Sequence, residues 1–450
     1  MRLSQIKKLD RELTEYVESM TEAMGRPERR RAMGWYMTGL LLDGERKSIE
    51  PMAARLVDDA DEIEAMRQRL QQCVSISGWS ERELLDRLAL KLEGELPGLE
   101  AFVVDDTGHP KKGTYSVGVA RQYSGTLGRV DNCQIAVSLH LAGEQGSGCI
   151  AYDLYLNQEW TADAARRKSV GVPAEVPFRT KWEISLQQLD AALEAGVRKH
   201  VVLADAGYGD ITDFRNGLTA RGLEYVVGVK GDQIVWRPGS SPRVLPQKAH
   251  IRGKRPTRYQ DEDHPPLSIR ALARELKFRS VSWREGTKGW QKSRFAVARI
   301  RTAARHYDGR PPGEEQWLLC EWPQSEKEPT GYWLATLPPS TSISALVRRA
   351  KLRWRVERDY QDMKNEVGLD HFEGRTWRGF HHHAALCAVA HGFLALRRAL
   401  FPPEEAEVDA ADGPEVPSTD PLAVDGLLPA LQTNRRSGAT TGRIIENVIG

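Results

Sequence analysis

The sequence contains few cysteines, no long apolar run and little excess charge, and each shortage excludes a class of protein. The five cysteines are odd in number and scattered without a CxxC pair, so neither a disulfide framework nor a zinc ribbon is supported. No run approaches the ~18 apolar residues that cross a bilayer, and the N-terminus lacks the apolar region of a signal peptide. The formal net charge of +2 gives the whole chain no basic character. We therefore expect a cytoplasmic protein. Any surface that binds an acidic partner must be formed by a local cluster of basic residues.

The composition changes along the chain, which predicts two to four domains for a sequence of 450 residues. The first 97 residues carry long amphipathic stretches and few strand signals. Residues 98–229 alternate strongly at first, and helical and strand patterns then follow one another. Residues 230–340 are rich in proline, charge and short strand patterns, and residues 341–400 are helical. The acidic, proline-rich residues 401–450 are predicted to be a linker and tail.

Strands followed by alternating helices and strands predict a mixed α/β sheet. The patterns place early strands at Phe102–Asp105, Ser116–Gln122, Asn132–Leu141 and Cys149–Leu156, and later strands at Val201–Asp205 and Tyr225–Val229. Within residues 230–340 they place strands at Phe278–Trp283, Ser293–Ile300, Gln316–Trp322 and Tyr332–Leu337.

Residues 343–383 form the most informative stretch, which is predicted to be a long helix because no proline interrupts it. Offsets of four and seven place Arg353, Glu357 and Lys364 on one helical face. Alternating charges of this kind are usually a solvated face with weak ion pairs. Two apolar strands upstream, however, end in acids, at Asp105 and at Asp205. Three carboxylates from two strand ends and one helix can converge.

These blocks together resemble the bacterial insertion-sequence transposases of the DDE class, in the group with a Tyr-x2-Arg-x3-Glu-x6-Lys signature. Arg353, Glu357 and Lys364 fit the signature, whereas its Tyr position holds Ala350. The resemblance spans roughly residues 25–400 and includes Asp105-Asp106-Thr107 with Lys111-Lys112-Gly113, Asp205-Ala206-Gly207-Tyr208, and Gly368 to Phe380.

The resemblance implies an RNase H-like catalytic core at 98–229 and 341–400, a β-rich insertion at 230–340 and an all-α N-terminal domain at 1–97. Asp105, Asp205 and Glu357 would be catalytic and would hold two Mg²⁺ ions, for which Mn²⁺ can substitute, since hard cations take oxygen ligands. Asp106 competes with Asp105, but neighbouring strand residues point to opposite faces and the family spacing favours Asp105.

Further residues are expected to contact double-stranded DNA, meaning the terminal inverted repeats and the target. The cations expected at phosphates are Arg353, Lys364, Lys111, Lys112 and Arg121. Trp290, Trp322 and Trp333 are candidates for stacking on a base, although large aromatics in a β-rich segment are more often core. The helical N-terminal domain is expected either to bind DNA or to be a structural cap. The run His381-His382-His383 cannot chelate one ion from a helix, which favours packing or phosphate contact.

The implied activity is cut-and-paste transposition: cleavage at the inverted repeats, followed by joining of the 3′-hydroxyl ends to target DNA. The enzyme is expected to act as a homodimer on DNA, in the bacterial cytoplasm and associated with the nucleoid. A catalytically retired DNA-binding protein derived from such an enzyme and a structure-selective nuclease of the same fold are the alternatives.

Overall fold

The computed structural model describes residues 3–244, 257–303, 309 and 311–400, without the side chains of residues 3–6 and 287. The predicted linker and tail at 401–450 lies outside the described residues, as do residues 245–256 and 304–308 of the predicted insertion.

The N-terminal segment is helical, as its amphipathic pattern predicts. Its α-helices, in the range 3–97, are α1 (Leu3–Thr21), α2 (Pro27–Leu41), α3 (Ile49–Leu56), α4 (Ile63–Ser75) and α5 (Glu81–Glu95). The N-cap Ser80 of α5 accepts a hydrogen bond from the backbone N–H of Glu83. Leu84, Leu88 and Leu92 recur every four residues in α5 and are buried, which fastens one face of this helix to the core.

The remaining helices lie around and beyond the sheet. In the described ranges they are α6 (Gln158–Ala162), α7 (Ala164–Ser169), α8 (Lys181–Glu194), α9 (Ala206–Gly209), α10 (Thr212–Ala220), α11 (Ile269–Ala273), α12 (Ile343–Leu352), α13 (Trp354–Asn365) and α14 (Trp377–Leu400). Helix α14 is buried on nearly all sides between α1, α2, α4 and α5 and strand β4 (Ser147–Leu154). The N-terminal helices therefore share one apolar core with the sheet. None of the helices in the described ranges is both long enough and apolar enough to cross a membrane.

One mixed sheet of twelve strands dominates the described part of the chain. Besides β4, its strands are β1 (Leu99–Pro110), β2 (Ala120–Ser124), β3 (Arg129–Gly143), β5 (Val201–Ala204), β6 (Tyr225–Gly228), β7 (Ile234–Trp236), β10 (Leu267–Ser268), β11 (Arg279–Arg284), β12 (Trp290–Thr302), β13 (Gln316–Glu321) and β14 (Gly331–Ala335); β8 (Arg243–Val244) pairs with β9 (Tyr259–Gln260) separately. The order is β10-β7-β12-β13-β14-β6-β5-β1-β3-β2, with β11 beside β12 and β4 beside β3. The pairs of β5 with β1 and with β6 are parallel, which makes the sheet mixed as predicted.

The strands of the predicted insertion join this same sheet. Trp333 of β14 is the register partner of Gly228 of β6, so the sheet continues across the boundary at residue 230 without a gap. The domain boundaries drawn from the sequence stay a prediction.

The prediction of one long helix over 343–383 was wrong. Helix α12 ends at Leu352 and α13 begins at Trp354, because α12 packs on β6, β11 and β12 whereas α13 packs on β1, β3, β4 and α14. A single straight helix cannot lie on both parts of the sheet. The chain then leaves the helix, and Gly368 adopts a φ of +69°, where an added Cβ would collide with Lys47.

Candidate active site

The two aspartates that were predicted at strand ends lie side by side. Only Asp205 follows the end of its strand, because β1 continues past Asp105 to Pro110. Strands β1 and β5 are parallel, and Val103 is the register partner of Leu203. Two residues further on, this register places Asp105 beside Asp205, where β5 has ended. Asp205 caps the short helix α9, since its carboxylate accepts hydrogen bonds from the N–H groups of Gly207 (2.8 Å) and Tyr208 (3.3 Å). Two adjacent carboxylates therefore lie on neighbouring central strands of the sheet, at the point where β5 ends.

Asp105 and Asp106 serve different faces of β1, as strand alternation predicts. The carboxylate of Asp106 accepts hydrogen bonds from the ammonium of Lys181 (2.7 Å) and the hydroxyl of Tyr208 (3.3 Å). The carboxylate of Asp105 instead faces α13 and pairs with Arg353 at 2.9 Å. Asp106 is thus held by a cation of its own, on the side of α8.

Arg353 is hydrogen-bonded to both Asp105 of β1 and Glu357 of α13. One guanidinium nitrogen donates to Asp105 and the other to Glu357 at 2.8 Å, and Asp205 also lies within the range of its charge. Arg353 lies at the break between α12 and α13, and this position directs its side chain toward Asp105 in the middle of β1. Exposure rises across the group, from 15% for the side chain of Asp105 to 64% for Glu357. We name Asp105, Asp205, Arg353 and Glu357 the acidic cluster.

Burial and charge shift the protonation of this cluster. Burial raises the pKa of Asp105 to about 7, with the charges of Asp205 and Asp106 acting in the same direction and Arg353 opposing them. Burial lowers the pKa of Arg353, but the charges of Asp105, Glu357 and Asp205 outweigh it and raise that pKa overall. The guanidinium therefore stays charged and acts as the internal counter-ion of the carboxylates.

The fit of this cluster to a metal ion depends on Arg353. Carboxylate oxygens are suitable ligands for Mg²⁺. As the side chains stand, however, no three His, Cys, Asp or Glu residues of the described ranges are placed to hold one ion together. The guanidinium lies between Asp105 and Glu357, so the donor chemistry fits a divalent cation only when that side chain moves aside.

Lys364 lies next to the acidic cluster, on the same helix as Glu357. Its ammonium donates to the hydroxyl of Thr107 (2.8 Å) and to the carbonyl of Gly108 (3.1 Å), two and three residues beyond Asp105. The face predicted to carry Arg353, Glu357 and Lys364 therefore does point to the end of β1.

The other predicted phosphate contacts are placed differently from one another. The half-buried Lys111 donates one hydrogen bond to the carbonyl of Phe372 at 2.9 Å. Lys112 and Arg121 are exposed.

Of the three tryptophans predicted as candidates for stacking on a base, Trp290 has the most solvent-exposed side chain. Trp290 is 75% exposed, whereas Trp322 packs edge-on against Phe278 and Trp333 is partly buried. Trp290 follows the turn between β11 and β12, in which an added Cβ at Gly286 would collide with the ring of Trp354. This turn therefore reaches the beginning of α13, near Glu357.

The three consecutive histidines are packing residues. All three are buried in α14: His381 accepts from the backbone N–H of Leu154, and His382 stacks on Trp79 with centroids 3.7 Å apart. His383 is hydrogen-bonded to the hydroxyl of Tyr36 at 2.8 Å, and burial lowers its pKa to about 4. Of the two alternatives that the sequence left open, core packing and phosphate contact, the structure shows core packing.

A buried polar network behind α13 was missed from the sequence. Asp359 pairs with His140 at 2.7 Å and accepts a hydrogen bond from the hydroxyl of Ser147 at 2.6 Å. The hydroxyl of Ser138 contacts both His140 (3.0 Å) and Tyr360 (2.6 Å). Ser138 and His140 are isolated polar residues in an otherwise apolar strand, and this signal was available in the sequence. The network fixes the rotation of α13, and with it the direction of Glu357.

Part of the chain matches a known protein family. Residues 19–290, more than half of the chain, match the family model described as DDE superfamily endonuclease. A probable transposase for insertion sequence element IS701 from Microchaete diplosiphon is 27% identical over 209 residues, which are 45% of this chain and 50% of that protein. The chain thus matches about half the length of this curated relative.

A structural likeness extends over more of the chain but is weak. It is to a chain in the cryo-EM structure of the piggyBac transposase synaptic complex with hairpin DNA, at 10% identity and a TM-score of 0.33. It covers 98% of this chain and 82% of that one, and so low a score does not establish a shared fold. The family match is what identifies the protein: this chain belongs to the DDE superfamily of endonucleases.

Proposed function

We propose that the protein is a cut-and-paste DNA transposase that cleaves at terminal inverted repeats and joins the 3′-hydroxyl ends to target DNA. The observation that carries the proposal is the convergence of Asp105, Asp205 and Glu357 on the single cation Arg353. The match to the IS701 relative, whose name describes a probable transposase, supports the same reading.

The three acids of the cluster would hold two Mg²⁺ ions, for which Mn²⁺ can substitute. Bound there, Mg²⁺ would supply activation of the attacking water or hydroxyl and stabilisation of charge on the phosphoryl oxygens. Asp105 is central because it lies between the other two, next to Asp205 across the strands and joined to Glu357 through Arg353.

Arg353 must leave the carboxylates before they can act as ligands. A DNA phosphate offers its guanidinium an alternative partner of matching geometry, since arginine binds phosphate oxygens with two parallel hydrogen bonds. Lys364 contacts the hydroxyls of Thr107 and Thr126 and the carbonyl of Gly108, all of them neutral, so its charge is available to a second phosphate. On this account the approach of the substrate opens the acidic cluster.

The rest of the proposed machinery follows the sequence-based expectations. The core would be RNase H-like, the helical segment 1–97 and the β-rich segment 230–340 would contact the inverted repeats, and a homodimer would bring two ends together. Lys111, Lys112 and Arg121 would contact phosphates. Trp290 is the tryptophan proposed to stack on a base, because its ring is exposed above the turn that reaches α13.

The test is the substitution Glu357→Gln, measured by cleavage and strand joining on duplexes carrying the inverted repeats that flank the gene. We expect loss of cleavage with unchanged binding of end DNA. Glu373→Gln is the matched control, because Glu373 is equally exposed and also pairs with one arginine, Arg46. Full cleavage by the Glu357 variant would refute the assignment.

A catalytically retired DNA-binding protein remains the alternative, since no three acids among the described residues are placed to share an ion. It predicts that the wild-type chain binds end DNA but never Mn²⁺. Titration of Mn²⁺ in the presence and absence of end DNA, followed by electron paramagnetic resonance, separates the two. A structure-selective nuclease would instead cleave without joining strands when given pre-cleaved ends.

A further inference from the structure

The hairpin formed by β2 and β3 projects beyond the end of the neighbouring strand and folds back beside the acidic cluster. Strand β1 stops pairing at Pro110, opposite Cys133, whereas β3 continues backward to Arg129 and pairs there with β2. The N–H of Lys111 adds one backbone hydrogen bond to the carbonyl of Asn132. The turn of the hairpin then lies against β1, where Gly108 is required because an added Cβ would collide with the hydroxyl of Ser124.

The contacts of this turn tie the hairpin to residues next to the acids. The hydroxyl of Thr126 accepts a hydrogen bond from the N–H of Gly108 (3.3 Å) and lies 3.5 Å from the ammonium of Lys364. Thr107, which also contacts Thr126, is two residues from Asp105 along the strand, a distance of roughly 7 Å. That distance is about two base-pair steps along a duplex. A DNA backbone lying across the acids would therefore pass within reach of the hairpin.

The outer face of the hairpin is exposed and combines aromatic with cationic side chains. Tyr123 and Val130 are cross-strand partners, 61% and 53% exposed, and Arg121 lies on the same face two residues from Tyr123. Ser124 points the other way and is buried, so the tyrosine is directed outward by the strand geometry.

The preceding loop extends this face. The side chain of Asn132 donates to the carbonyls of Lys111 and Gly113, which holds the loop against the base of the hairpin. The loop presents the exposed Lys112 and Tyr115, and the guanidinium of Arg375 lies 5.6 Å from the ring centre of Tyr115. We define the hairpin surface as Lys112, Tyr115, Arg121, Tyr123, Val130 and Arg375.

The charge of the hairpin surface favours one partner. Neither Lys112 nor Arg121 forms an ion pair with any residue that the structure describes. The nearby acid Asp131 is paired with Arg129 at 2.8 Å, and besides the hydrogen bond from the N–H of Asn132 the charge of Arg121 helps to lower the pKa of Asp131. Unpaired cations interleaved with exposed tyrosines suit a polyanion that also offers flat surfaces, which is the chemistry of DNA. A second protein chain would need an acidic complement, and the chain as a whole has a net charge of only +2.

We propose that the hairpin surface binds the DNA backbone immediately beside the scissile phosphate, with Lys112 and Arg121 on phosphates and Tyr115 and Tyr123 packed on the sugars and bases. This inference rests on the proposed DNA-cleaving function and adds a binding surface to it. The hairpin is held in place by Thr126 and Gly108, so it would orient the strand whose phosphate is attacked by water or a 3′-hydroxyl beside the acids.

Salt dependence of binding tests the cationic half of the proposal. The probe is a mixed-sequence duplex of about 40 base pairs, titrated with full-length protein at several salt concentrations. The double variant Lys112→Gln with Arg121→Gln should lower the slope of log affinity against log salt by about two. The charge-conserving double variant Lys112→Arg with Arg121→Lys is the matched control, and it should leave the slope unchanged because both positive charges remain.

The two tyrosines of the hairpin surface should affect the affinity for DNA but not its salt dependence. Tyr115→Ala with Tyr123→Ala should weaken duplex binding about tenfold without changing the salt slope, since stacking carries no counter-ion release. A Tyr123→Cys variant labelled with an iron chelate should cut the inverted-repeat duplex within a few base pairs of the cleavage position. The label is selective because all five native cysteines are buried.

The outcomes separate this proposal from the proposed function. If the wild type cleaves the inverted repeats while all hairpin variants bind and cut as it does, the hairpin surface is not a DNA surface and the function stands. If the tyrosine substitutions change only the sedimentation of the protein, the surface is an interface between copies of this chain, and the proposal is overturned. If the wild type neither binds nor cleaves DNA, the proposed function fails first.

Discussion

The two sides of helix α13 each carry a carboxylate beside a cationic or protonatable partner, yet they are built for different purposes. Glu357 is largely exposed, and its one ion pair among the described residues is with Arg353, which it shares with Asp105. Asp359, two residues later and roughly 200° around the helix, is buried, with His140 and Ser147 hydrogen-bonded to its two oxygens.

The difference shows that the number of acids alone does not make a site. Burial raises the pKa of Asp359, but the hydrogen bond and charge of His140 and the charge of His391 outweigh it and lower that pKa. Burial likewise lowers the pKa of His140, but the charge of Cys149 and its contact with Asp359 raise it to about 10. That pair is satisfied internally and fixes a helix, whereas the acidic cluster is held by one arginine that a phosphate can draw away.

The largest expected effect separates the two neighbouring acids of β1. Asp105→Asn should lower cleavage at least ~10³-fold, the loss typical of removing one group that stabilises the transition state. Asp106→Asn should cost no more than about tenfold, because Asp106 acts only through Lys181 and Tyr208. Single-turnover cleavage of end DNA measures both rates. Equal losses would mean that Asp105 and Asp106 do not have the different roles that their opposite directions on β1 predict.

The buried side of α13 should respond in stability. Asp359→Asn should lower the free energy of unfolding by about 3–5 kcal/mol, because it leaves a buried histidine without its partner. Glu357→Gln, on the exposed side of the same helix, should change it by no more than about 0.5 kcal/mol. Urea unfolding followed by circular dichroism compares the pair. If both variants lose the same stability, Asp359 does not stabilise the fold more than Glu357 does.

Removing the arginine should expose the acids to metal. Arg353→Gln should bind Mn²⁺ without DNA about tenfold more tightly than the wild type, since the competing positive charge is gone. Arg348→Gln is the control, because Arg348 lies on α12 and pairs with Glu100 and Glu144 instead. Paramagnetic resonance or calorimetry gives the affinities. Weaker metal binding by the Arg353 variant would contradict its role as internal counter-ion.

The smallest effect concerns the turn above α13. Trp290→Ala should weaken binding of end DNA roughly tenfold, the contribution of one stacked base, without changing protein stability. Trp322→Phe, which keeps an aromatic ring against Phe278, should leave DNA binding unchanged. Fluorescence anisotropy measures the affinities and thermal unfolding checks the fold. A loss of melting temperature in the Trp290 variant would assign its ring to packing.

Much of the local structure followed from the sequence because it depends on residue periodicity. The apolar runs that end at Asp105 and Asp205 are strands, and the histidines of α14 are packing residues, as their patterns indicated. The break at Arg353 could not be seen, because both flanking segments have good helical patterns and only their packing on different parts of the sheet separates them. The joining of the strands after residue 230 to β6 was hidden for the same reason, since strand pairing is long-range.

The sequence by itself determined which residues are available for chemistry: two aspartates that follow apolar runs, a helical glutamate and their cations, because residue type and spacing are local properties. Tertiary structure alone decided that the register of β1 and β5 sets Asp105 beside Asp205, and that Arg353 lies between Asp105 and Glu357. It also decided that the hairpin of β2 and β3 turns back onto Gly108. Such meetings depend on backbone pairing and packing between segments that are far apart in the chain, which no local pattern encodes.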